Sequence, residues 1–558
     1  MSELRQREGQ IFLILAVVIG ALTGLVVVAF IVLTERLGMR LYPVGGAPWR
    51  RLLFPVVGSL SIGYLLYRYF PNARGSGVPQ TKAALFARGG RITLRTVLGK
   101  FFCTSATLAS GIPLGREGPS VQVGAGIGSV LGRFLGLPTE QVKKLIPVGA
   151  AAAIAAAFNT PLAAVLFSLE EVTGDLYAPV MGAVVLASAT AWMVLRVCLG
   201  DHPLFKVPQY QLVHPAEFAI YAVLGVAGGV ISAVFTKILL RIRARFLRFP
   251  LKTVWLQPAA GGLLVGLMGW FVPQVLGVGY GYVGEALNGR MAFQMMALLV
   301  VMKLIAVTTS YATGNAGGIF GPSLFIGAML GGTVGTVAHN LFPAYTATPG
   351  AYALVGMGAV FAGVVRTPMT SVLMIFEMTQ DYAVIVPLMI ANLVSLFIAS
   401  RLQEEPIYEG LAIQDGIHLP SAEGRLRHGQ RQVAKVMHGA GDSLPADLAV
   451  PDALQRVRAS GIRTWLVTDQ RGVIGVVSLT TLEKELTQNN GGEKKVGDLV
   501  NPVVFPHVHP DQALDLALER MGANQLDILP VVNRGDVHKL EGVVTLQDVL
   551  DAYGVGRA

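Results

Sequence analysis

The sequence predicts a polytopic α-helical membrane protein with an internal repeat, followed by a small soluble α/β region. Hydrophobic residues make up 53% of the 558 residues and charged residues only 14%, whereas soluble domains carry about 25% charged residues. The segment Gly115–Gly132 recurs as Gly318–Gly335 with eight of eighteen positions identical. After about Ser400 the long apolar segments stop. These three observations define the two parts of the chain.

Apolar segments recur along the first 400 residues. Residues 11–34 contain no charge, and further apolar stretches lie around 52–67, 177–195, 217–239, 258–275, 293–309, 318–338 and 383–400. A helix of about 20 apolar residues crosses a bilayer core of ~30 Å. We therefore expect a transmembrane domain at 1–408, built from two repeats at roughly 11–200 and 215–400. Its first apolar stretch is too long for a signal peptide.

Charge and histidine usage argue against several classes of protein. The net charge is +10, but the cations are scattered instead of forming a basic stripe, which argues against a nucleic-acid partner. Contact with lipid headgroups, or a field that favours anions, fits better. The nine histidines show no spacing typical of metal ligands, so we predict no metal site and no required cofactor. An enzyme would need a catalytic cluster, and none is evident.

Three glycine-proline segments carry the strongest functional signal: GSGVP at 75–79, GREGP at 115–119 and GIFGP at 318–322. Each places a loop just before a predicted helix. A helix N-terminus presents about four unbonded N–H groups and a partial positive charge, which attract anions. One such segment could be a simple helix break, but three favour an anion site. The residues that build it are Gly75, Pro79, Gly115, Arg116, Gly118, Pro119, Gly318 and Gly321.

Two further patterns describe helix packing. Glycines every fourth residue from Gly124 and from Gly327 predict close contact between membrane helices. The block at 148–171 parallels the block at 355–378, and both contain a Thr-Pro pair. Since proline is tolerated at the first helical position, we expect short helices that begin at Pro161 and Pro368.

Carboxylates within apolar segments are candidates for function. Glu117 lies at the predicted anion site, where it either gates the site or forms a salt bridge with Arg116. Glu170 has an equivalent in Glu377, which favours a structural task for both. Glu171 has no equivalent, so it either handles protons or is a buried structural carboxylate.

Lys100 and Lys303 are also equivalent in the two repeats. They either raise the potential for anions or extend their long stems to the membrane surface.

The C-terminal part consists of a linker at 409–432 and two small units at 433–487 and 496–554. GVVSLTTLEKEL at 475–486 recurs as GVVTLQDVLDAY at 542–553, in each case after a β-branched run. This repeat predicts a pair of mixed strand and helix units.

The glycine-proline segments, the two Thr-Pro blocks and the tyrosine in EEPIYEG at 404–410 together strongly resemble the CLC family of chloride channels and chloride/proton exchangers. The resemblance implies inverted repeats, a homodimer with one pore per subunit, and a chloride held near the bilayer midplane. It assigns chloride binding to the segment with Ser76 and Gly77, to the amides of Ile319 and Phe320, and to the Tyr408 phenol. Members with serine at the position of Ser76 prefer chloride, and nitrate-preferring members carry proline.

The same resemblance assigns the outer gate to Glu117 and the inner proton acceptor to Glu171. Channels usually carry another residue at the latter position. Chloride/proton exchange is therefore the first hypothesis, and a passive gated chloride channel is the alternative.

The C-terminal pair resembles two cystathionine-β-synthase-like (CBS) domains, which often bind adenine nucleotides through a Thr/Ser and an Asp three residues later. Thr545 and Asp548 fit this pattern, whereas Ser478 is followed by Thr481. A nucleotide-binding pair and a purely structural pair both remain open. For the whole chain we expect a bacterial inner membrane with cytoplasmic CBS domains.

Overall fold

The computed structural model describes residues 2–43, 45–176, 180–200, 203–205, 207–208, 210, 212–417, 432–439, 441–460, 464–488, 494–501, 505–524 and 526–552. The chain divides into two compact units. One comprises Met1–Leu85 and Gly90–Ile417, and the other comprises Phe86–Gly89 and His418–Ala558.

The first unit is helical throughout. Its helices in chain order are α1 (Ser2–Leu41), α2 (Trp49–Arg68), α3 (Val78–Phe86), α4 (Leu94–Ala109), α5 (Glu117–Phe134), α6 (Thr139–Phe158), α7 (Pro161–Phe167), α8 (Met181–Leu199), α9 (Glu217–Leu247), α10 (Gln257–Phe271), α11 (Tyr280–Leu287), α12 (Phe293–Ala312), α13 (Phe320–Leu341), α14 (Pro349–Val365), α15 (Pro368–Thr379), α16 (Ile385–Leu402) and α17 (Ile407–Gln414). A π-helical turn, Ser168–Thr173, continues α7.

The surface of this unit suits a lipid environment. Within the described residues, seven helices are long and apolar enough to cross a membrane. Large apolar side chains such as Ile14 on α1 and Val223 on α9 are exposed, whereas many serines and threonines are buried. This is the reverse of the usual distribution in soluble proteins. The predicted polytopic membrane fold is confirmed.

Equivalent helices pair in the two halves, and the halves meet at equivalent residues. Helices α5 and α6 pack together in the first half, as do α13 and α14 in the second. Where the halves meet, the equivalent residues Gly115 and Gly318 form an antiparallel bridge, and the N–H of each donates to the carbonyl of the other at 2.7 Å. An antiparallel pair of equivalent residues fits halves that are related by a two-fold rotation, as the predicted inverted repeat requires.

Small residues let these paired helices approach closely. A Cβ on Gly149 of α6 would collide with the carbonyl of Gly124 on α5, and the equivalent Gly356 and Gly327 have the same relationship. The predicted close packing at the glycine stripes is confirmed in both repeats.

The Thr-Pro helices begin as the sequence predicts, at Pro161 and at Pro368. Each follows an equivalent left-handed residue that ends the preceding helix, Asn159 with φ 60° and Arg366 with φ 67°. A left-handed residue and a Thr-Pro pair therefore separate two helices at equivalent places in the two repeats.

The second unit contains two subdomains, each built from strands and helices. The first has β1 (Ser443–Pro445), α18 (Val450–Ser460), β2 (Thr464–Asp469), β3 (Gly472–Ser478) and α19 (Leu479–Gln488). The second has α20 (Leu514–Asn524), β4 (Ile528–Val532), β5 (Leu540–Thr545) and α21 (Leu546–Ala552). β1 and β2 are parallel, while β2 pairs antiparallel with β3 and β4 with β5. The predicted α/β pair is confirmed.

Candidate functional site

Three glycine-proline segments of the first unit meet in its interior, where helices α3, α5 and α13 begin. A Cβ on Gly118 at the start of α5 would come within 2.7 Å of the Ser76 carbonyl oxygen. A Cβ on Gly318 would approach the Gly118 nitrogen to 3.1 Å. Because helix N-termini carry unbonded N–H groups and partial positive charge, their convergence creates an interior region that favours anions.

Two buried hydroxyl groups lie at this region without a protein partner. Ser76 is 0% and Tyr408 is 1% exposed, and neither hydroxyl has a hydrogen-bond partner in the part of the chain the structure describes. The Tyr408 and Ser76 hydroxyls lie near each other without meeting the geometry of a formed hydrogen bond. Leaving a buried polar group unsatisfied costs about 1–3 kcal/mol, so two such hydroxyls side by side suit a ligand that accepts O–H donors.

The backbone amides differ in their availability. α13 begins at Phe320, and the N–H groups of Ile319 and Phe320 have no acceptor among the described residues. The Gly77 N–H, by contrast, donates to Gln80 Oε1 at 2.8 Å, and the Ser76 N–H donates to the Tyr311 hydroxyl at 3.1 Å. Of the expected backbone donors, Ile319 and Phe320 are therefore the available ones.

Aromatic rings close the region around Phe320. The ring centroids of Phe158, Phe167 and Phe361 lie 4.9, 5.5 and 4.3 Å from that of Phe320. Such apolar walls exclude water and strengthen the electrostatic effect of the nearby N–H groups.

Glu117 is the first residue of α5 and is 0% exposed. Its carboxylate accepts a hydrogen bond from the Gly321 N–H at 3.2 Å and another from the Tyr280 hydroxyl. The carboxylate thus occupies the start of α13, where an anion would bind. A bound anion and ionised Glu117 would compete for the same donors.

Arg116 does not form the salt bridge with Glu117 that was one of two alternatives. Its guanidinium lies 3.6 Å from Glu35 Oε1 and 5.8 Å from the centre of the Tyr280 ring. The salt-bridge alternative is wrong, because consecutive residues at a helix start point in different directions.

The supporting glycines and prolines shape the two loops. Gly77 has a φ of 109°, and a Cβ there would collide with the Gly118 carbonyl, so this close approach requires glycine. Pro79 lies in the first turn of α3 and Pro119 in the first turn of α5. Prolines there cost no helical hydrogen bond.

Equivalent lysines hold the loops that precede α3 and α11. Lys100 Nζ donates to the Gly75 carbonyl at 2.7 Å, and Lys303 Nζ donates to the carbonyls of Gly277 at 2.6 Å and Val275 at 3.0 Å. Both lysines are 0% exposed. The alternative in which they reach the membrane surface is therefore wrong.

Glu171 lies in the π-helical turn and is 8% exposed. Its Oε1 is 2.8 Å from Lys82 Nζ on α3, and it interacts electrostatically with Tyr408. Its neighbour Glu170 instead accepts a hydrogen bond from the Thr370 N–H at the start of α15. The two adjacent carboxylates thus bind different elements, Glu171 the ammonium on α3 and Glu170 the start of α15.

In the second unit, the predicted nucleotide residues begin helices. Thr545 precedes α21, where Asp548 Oδ2 accepts from the Thr545 N–H at 2.8 Å and hydroxyl at 2.6 Å. Asp548 Oδ1 lies 2.6 Å from His438 Nε2. Burial alone would raise the Asp548 pKa, but the hydrogen bonds from Thr545 and His438 together hold it below its usual value.

The first subdomain has a similar arrangement that is built from hydroxyl groups alone. The Ser478 hydroxyl lies 2.8 Å from the Thr481 hydroxyl and accepts from the Thr481 N–H at 3.2 Å. Both pairs therefore cap a helix, and the first lacks the carboxylate of the second.

Two residues of the site were not predicted from the sequence. Tyr280 contacts Glu117, and its loop could have been found because GVG at 277–279 repeats GSG at 75–77. Lys82 contacts Glu171, and it could have been found because it is the one charged residue in the sequence between residues 75 and 87. An ionisable residue in a membrane segment is a functional candidate by default.

Comparisons with known proteins agree with this architecture. The sequence model of the voltage gated chloride channel family matches residues 58–400, and that of the CBS domain matches residues 496–554. The chain is 35% identical over 381 residues to a putative chloride channel protein ClcB-like from Ralstonia nicotianae, covering 67% of this chain and 89% of that protein. It is 34% identical over 354 residues to the H(+)/Cl(-) exchange transporter ClcA of Vibrio campbellii, covering 62% and 76%.

A solved structure of a slow cyanobacterial Cl-/H+ antiporter is also similar. It superposes with a TM-score of 0.67 at 27% sequence identity, covering 72% of this chain and 97% of the antiporter.

Proposed function

Because the chain belongs to the voltage gated chloride channel (CLC) family, we propose that it exchanges chloride for protons across a membrane. Relatives named as H(+)/Cl(-) exchange transporters and a structurally similar Cl-/H+ antiporter support exchange. Chloride is the substrate in this proposal, with Ser76, Tyr408 and the amides of Ile319 and Phe320 as its donors.

The observation that carries the proposal is the pair of buried carboxylates beside the unpartnered hydroxyls. The Tyr408 hydroxyl interacts electrostatically with both Glu117 and Glu171. Glu117 is bound to the start of α13, and Glu171 is bound to Lys82. A passive anion pathway has no need of the second carboxylate, whereas a protein that moves protons needs a group that accepts them.

In the proposed cycle, Glu117 acts as both gate and proton acceptor. Ionised, its carboxylate holds the Gly321 N–H and keeps an anion from the start of α13. A proton removes its charge and weakens that hold, so the side chain leaves and chloride takes its place. Glu171 receives protons from the other side, within reach of the Tyr408 hydroxyl.

The test is transport in proteoliposomes that contain the purified full-length protein. An imposed chloride gradient should drive protons against their own gradient, as followed by chloride and pH electrodes. Glu171→Gln should keep chloride flux and lose proton movement, because the amide accepts no proton at neutral pH. Chloride flux that moves no protons in the wild type would overturn exchange.

A passive gated chloride channel is the second candidate function, because one relative is named as a putative chloride channel protein. It predicts currents that reverse at the chloride equilibrium potential at every pH. It also predicts equal chloride flux in the wild type and in Glu171→Gln, without proton movement in either.

We extend the proposal to a homodimer with one pore in each chain. Glu170 and Glu377 support it, because both lie on membrane helices and yet remain half-buried in a single chain. A second chain seated over α7 and α15 would cover them. Chemical cross-linking in native membranes should give a dimer of this chain alone.

The proposed location is the inner membrane of a bacterium, with residues 409–432 as the linker to cytoplasmic CBS domains at 433–487 and 496–554. The polar composition of that linker and the bacterial sources of the relatives support this placement. A protease added to inside-out vesicles should release the C-terminal part, whereas the same protease outside intact spheroplasts should not.

An adenine nucleotide at the CBS pair is the remaining proposal. The Thr545 and Asp548 pair supports nucleotide binding. The first subdomain has Thr481 where a carboxylate is expected, so the second subdomain is the better candidate. Calorimetry of the full-length protein with ATP, ADP and AMP tests it, with Asp548→Ala as the variant that should lose binding. Absence of binding by all three nucleotides would leave the pair structural.

A further inference from the structure

Lys82 and Glu171 form a buried ion pair that the proposed cycle does not yet use. The ammonium nitrogen lies 2.8 Å from Glu171 Oε1, and the two side chains are 5% and 9% exposed. Within the described part of the chain, the Glu171 carboxylate is the hydrogen-bond partner of Lys82. The other two buried lysines, Lys100 and Lys303, donate to carbonyl oxygens instead.

Fold stability gives little reason for such a pair. Removing two charges from water costs several kcal/mol for each ion, and well-packed apolar residues are often at least as stabilising. The charges must therefore be explained by what they do to each other. An opposite charge within about 4–6 Å favours the ionised form of a carboxyl group.

Several described groups lie close enough to Glu171 to act on its charge, and Lys82 is the positively charged one among them. The others are Glu170 in the same turn, and Glu409 and Tyr408 on α17. Glu170 and Glu409 are acidic and Tyr408 is a neutral phenol, so none of them favours a negative charge on Glu171. Among these described groups, Lys82 is therefore the one whose charge favours the ionised form of Glu171.

Lys82 also connects this carboxylate to the anion site. It lies on α3, the helix whose preceding loop contains Ser76 and Gly77. The Gly77 carbonyl accepts from the Thr81 N–H at 3.0 Å and from the Thr81 hydroxyl at 2.8 Å. A displacement of the ammonium from Glu171 would therefore act on the first turn of the helix that follows the anion-binding loop.

We propose that Lys82 is the counter-ion that keeps Glu171 ionised and ready to accept a proton, and that it links proton entry to the anion-binding loop. This inference rests on the proposed exchange. A hydronium ion from the aqueous side gives its proton to the Glu171 carboxylate and becomes water, and the hydrogen bond from Lys82 to Oε1 breaks while the ammonium keeps its own charge. When Glu171 passes the proton on, the ion pair forms again.

The experiment compares Lys82→Met with the wild type in proteoliposomes between pH 4.5 and pH 8. Without the ammonium, Glu171 should hold its proton up to a pH about one to three units higher. We expect the pH profile of proton flux to move upward by about one unit or more, and proton flux per chloride at pH 7 to fall about tenfold. Chloride flux should persist and shows that the variant is folded.

Two further variants keep the test decisive if Lys82→Met folds poorly. Lys82→Arg retains the positive charge and should restore the wild-type profile and the proton to chloride ratio. Lys143→Met is the matched control, because it removes an ammonium that pairs with a carboxylate, Glu140 Oε1 at 3.0 Å, at the start of α6, and it should leave the pH profile in place.

The outcomes separate this inference from the proposed function. If the wild type moves no protons, exchange itself is wrong. If the wild type couples the two fluxes and Lys82→Met shows the same ratio and the same pH profile, the counter-ion role is wrong while exchange stands. A shift of equal size in Lys143→Met would also overturn the specific role of Lys82.

Discussion

Glu170 and Glu377 each cap the helix that begins in the other repeat. Glu170 Oε2 accepts from the Thr370 N–H at 2.8 Å and the Thr370 hydroxyl at 2.7 Å, at the start of α15. Glu377 accepts from the N–H groups of Ala163 at 2.7 Å and Leu162 at 3.0 Å, at the start of α7. A carboxylate at a helix N-terminus satisfies free N–H groups and the helix dipole together. The structural task expected from their equivalence is confirmed.

Replacing Glu377 by alanine should lower stability without changing transport stoichiometry. Two N–H groups at the start of α7 would lose their acceptor, at a cost of about 1–2 kcal/mol. Thermal unfolding in detergent, followed by tryptophan fluorescence, should show a lower midpoint. Glu170→Ala should lower it by a similar amount, since the two caps are equivalent. A changed proton to chloride ratio in Glu377→Ala at unchanged stability would contradict a purely structural role.

The Tyr280 hydroxyl should hold the outer gate closed, and Tyr280→Phe should release it. A hydrogen bond to a charged group contributes about 1.5–3 kcal/mol, and each 1.4 kcal/mol is about tenfold in an equilibrium constant. We expect chloride flux at pH 7 to rise until another step limits it. Its increase on acidification should become smaller, because less of the gate remains closed by ionised Glu117. The measurement is initial chloride efflux from proteoliposomes across pH.

Tyr210→Phe is the matched control for this change. The Tyr210 hydroxyl donates to the Leu287 carbonyl at the other end of α11, so the variant loses a buried phenol hydrogen bond without affecting Glu117. Similar flux increases in both variants would point to a general loosening of α11 and against a specific contact with the gate.

Repetition in the sequence was enough to predict much of the fold. Gly115 and Gly318 could be aligned by inspection, and they bond to each other where the two halves meet. Glycine and proline also mark helix starts through backbone geometry alone, which is why the beginnings of α7 and α15 were predicted to the residue. These features depend on local chemistry or on symmetry, and both are visible in one sequence.

Contacts between non-equivalent residues could not be predicted in the same way. Tyr280 and Glu117 are separated by 163 positions, and nothing in their neighbourhoods relates one to the other. Lys82 and Glu171 lie on elements that have equivalents in the second repeat, but the charged pair itself has no equivalent there. The direction of Arg116 toward Glu35 likewise depends on the packing of α1, which periodicity does not determine.

Asp548 should stabilise the start of α21 in a pH-dependent manner. Its folded pKa lies below the usual value of 3.8, so its contribution is present above that pH and is lost as pH falls through the folded pKa. Asp548→Asn should weaken the helix start by about 1 kcal/mol at pH 7. Hydrogen exchange of peptides from residues 540–552 in the full-length protein should be faster in the variant at pH 7. Equal exchange rates in Asp548→Asn and in the wild type at pH 7 would contradict this prediction.

Ser76→Pro should raise the preference for nitrate over chloride. Proline removes both the unpartnered Ser76 hydroxyl and the N–H that donates to Tyr311, so a spherical anion loses a donor and the loop loses a tether. The resemblance to CLC proteins indicates the same direction, because nitrate-preferring members carry proline at this position. Ser76→Ala removes the hydroxyl alone and should weaken chloride selectivity without the full change. Nitrate and chloride fluxes measured in one proteoliposome preparation give the ratio directly, and an unchanged ratio in Ser76→Pro would place the anion site elsewhere.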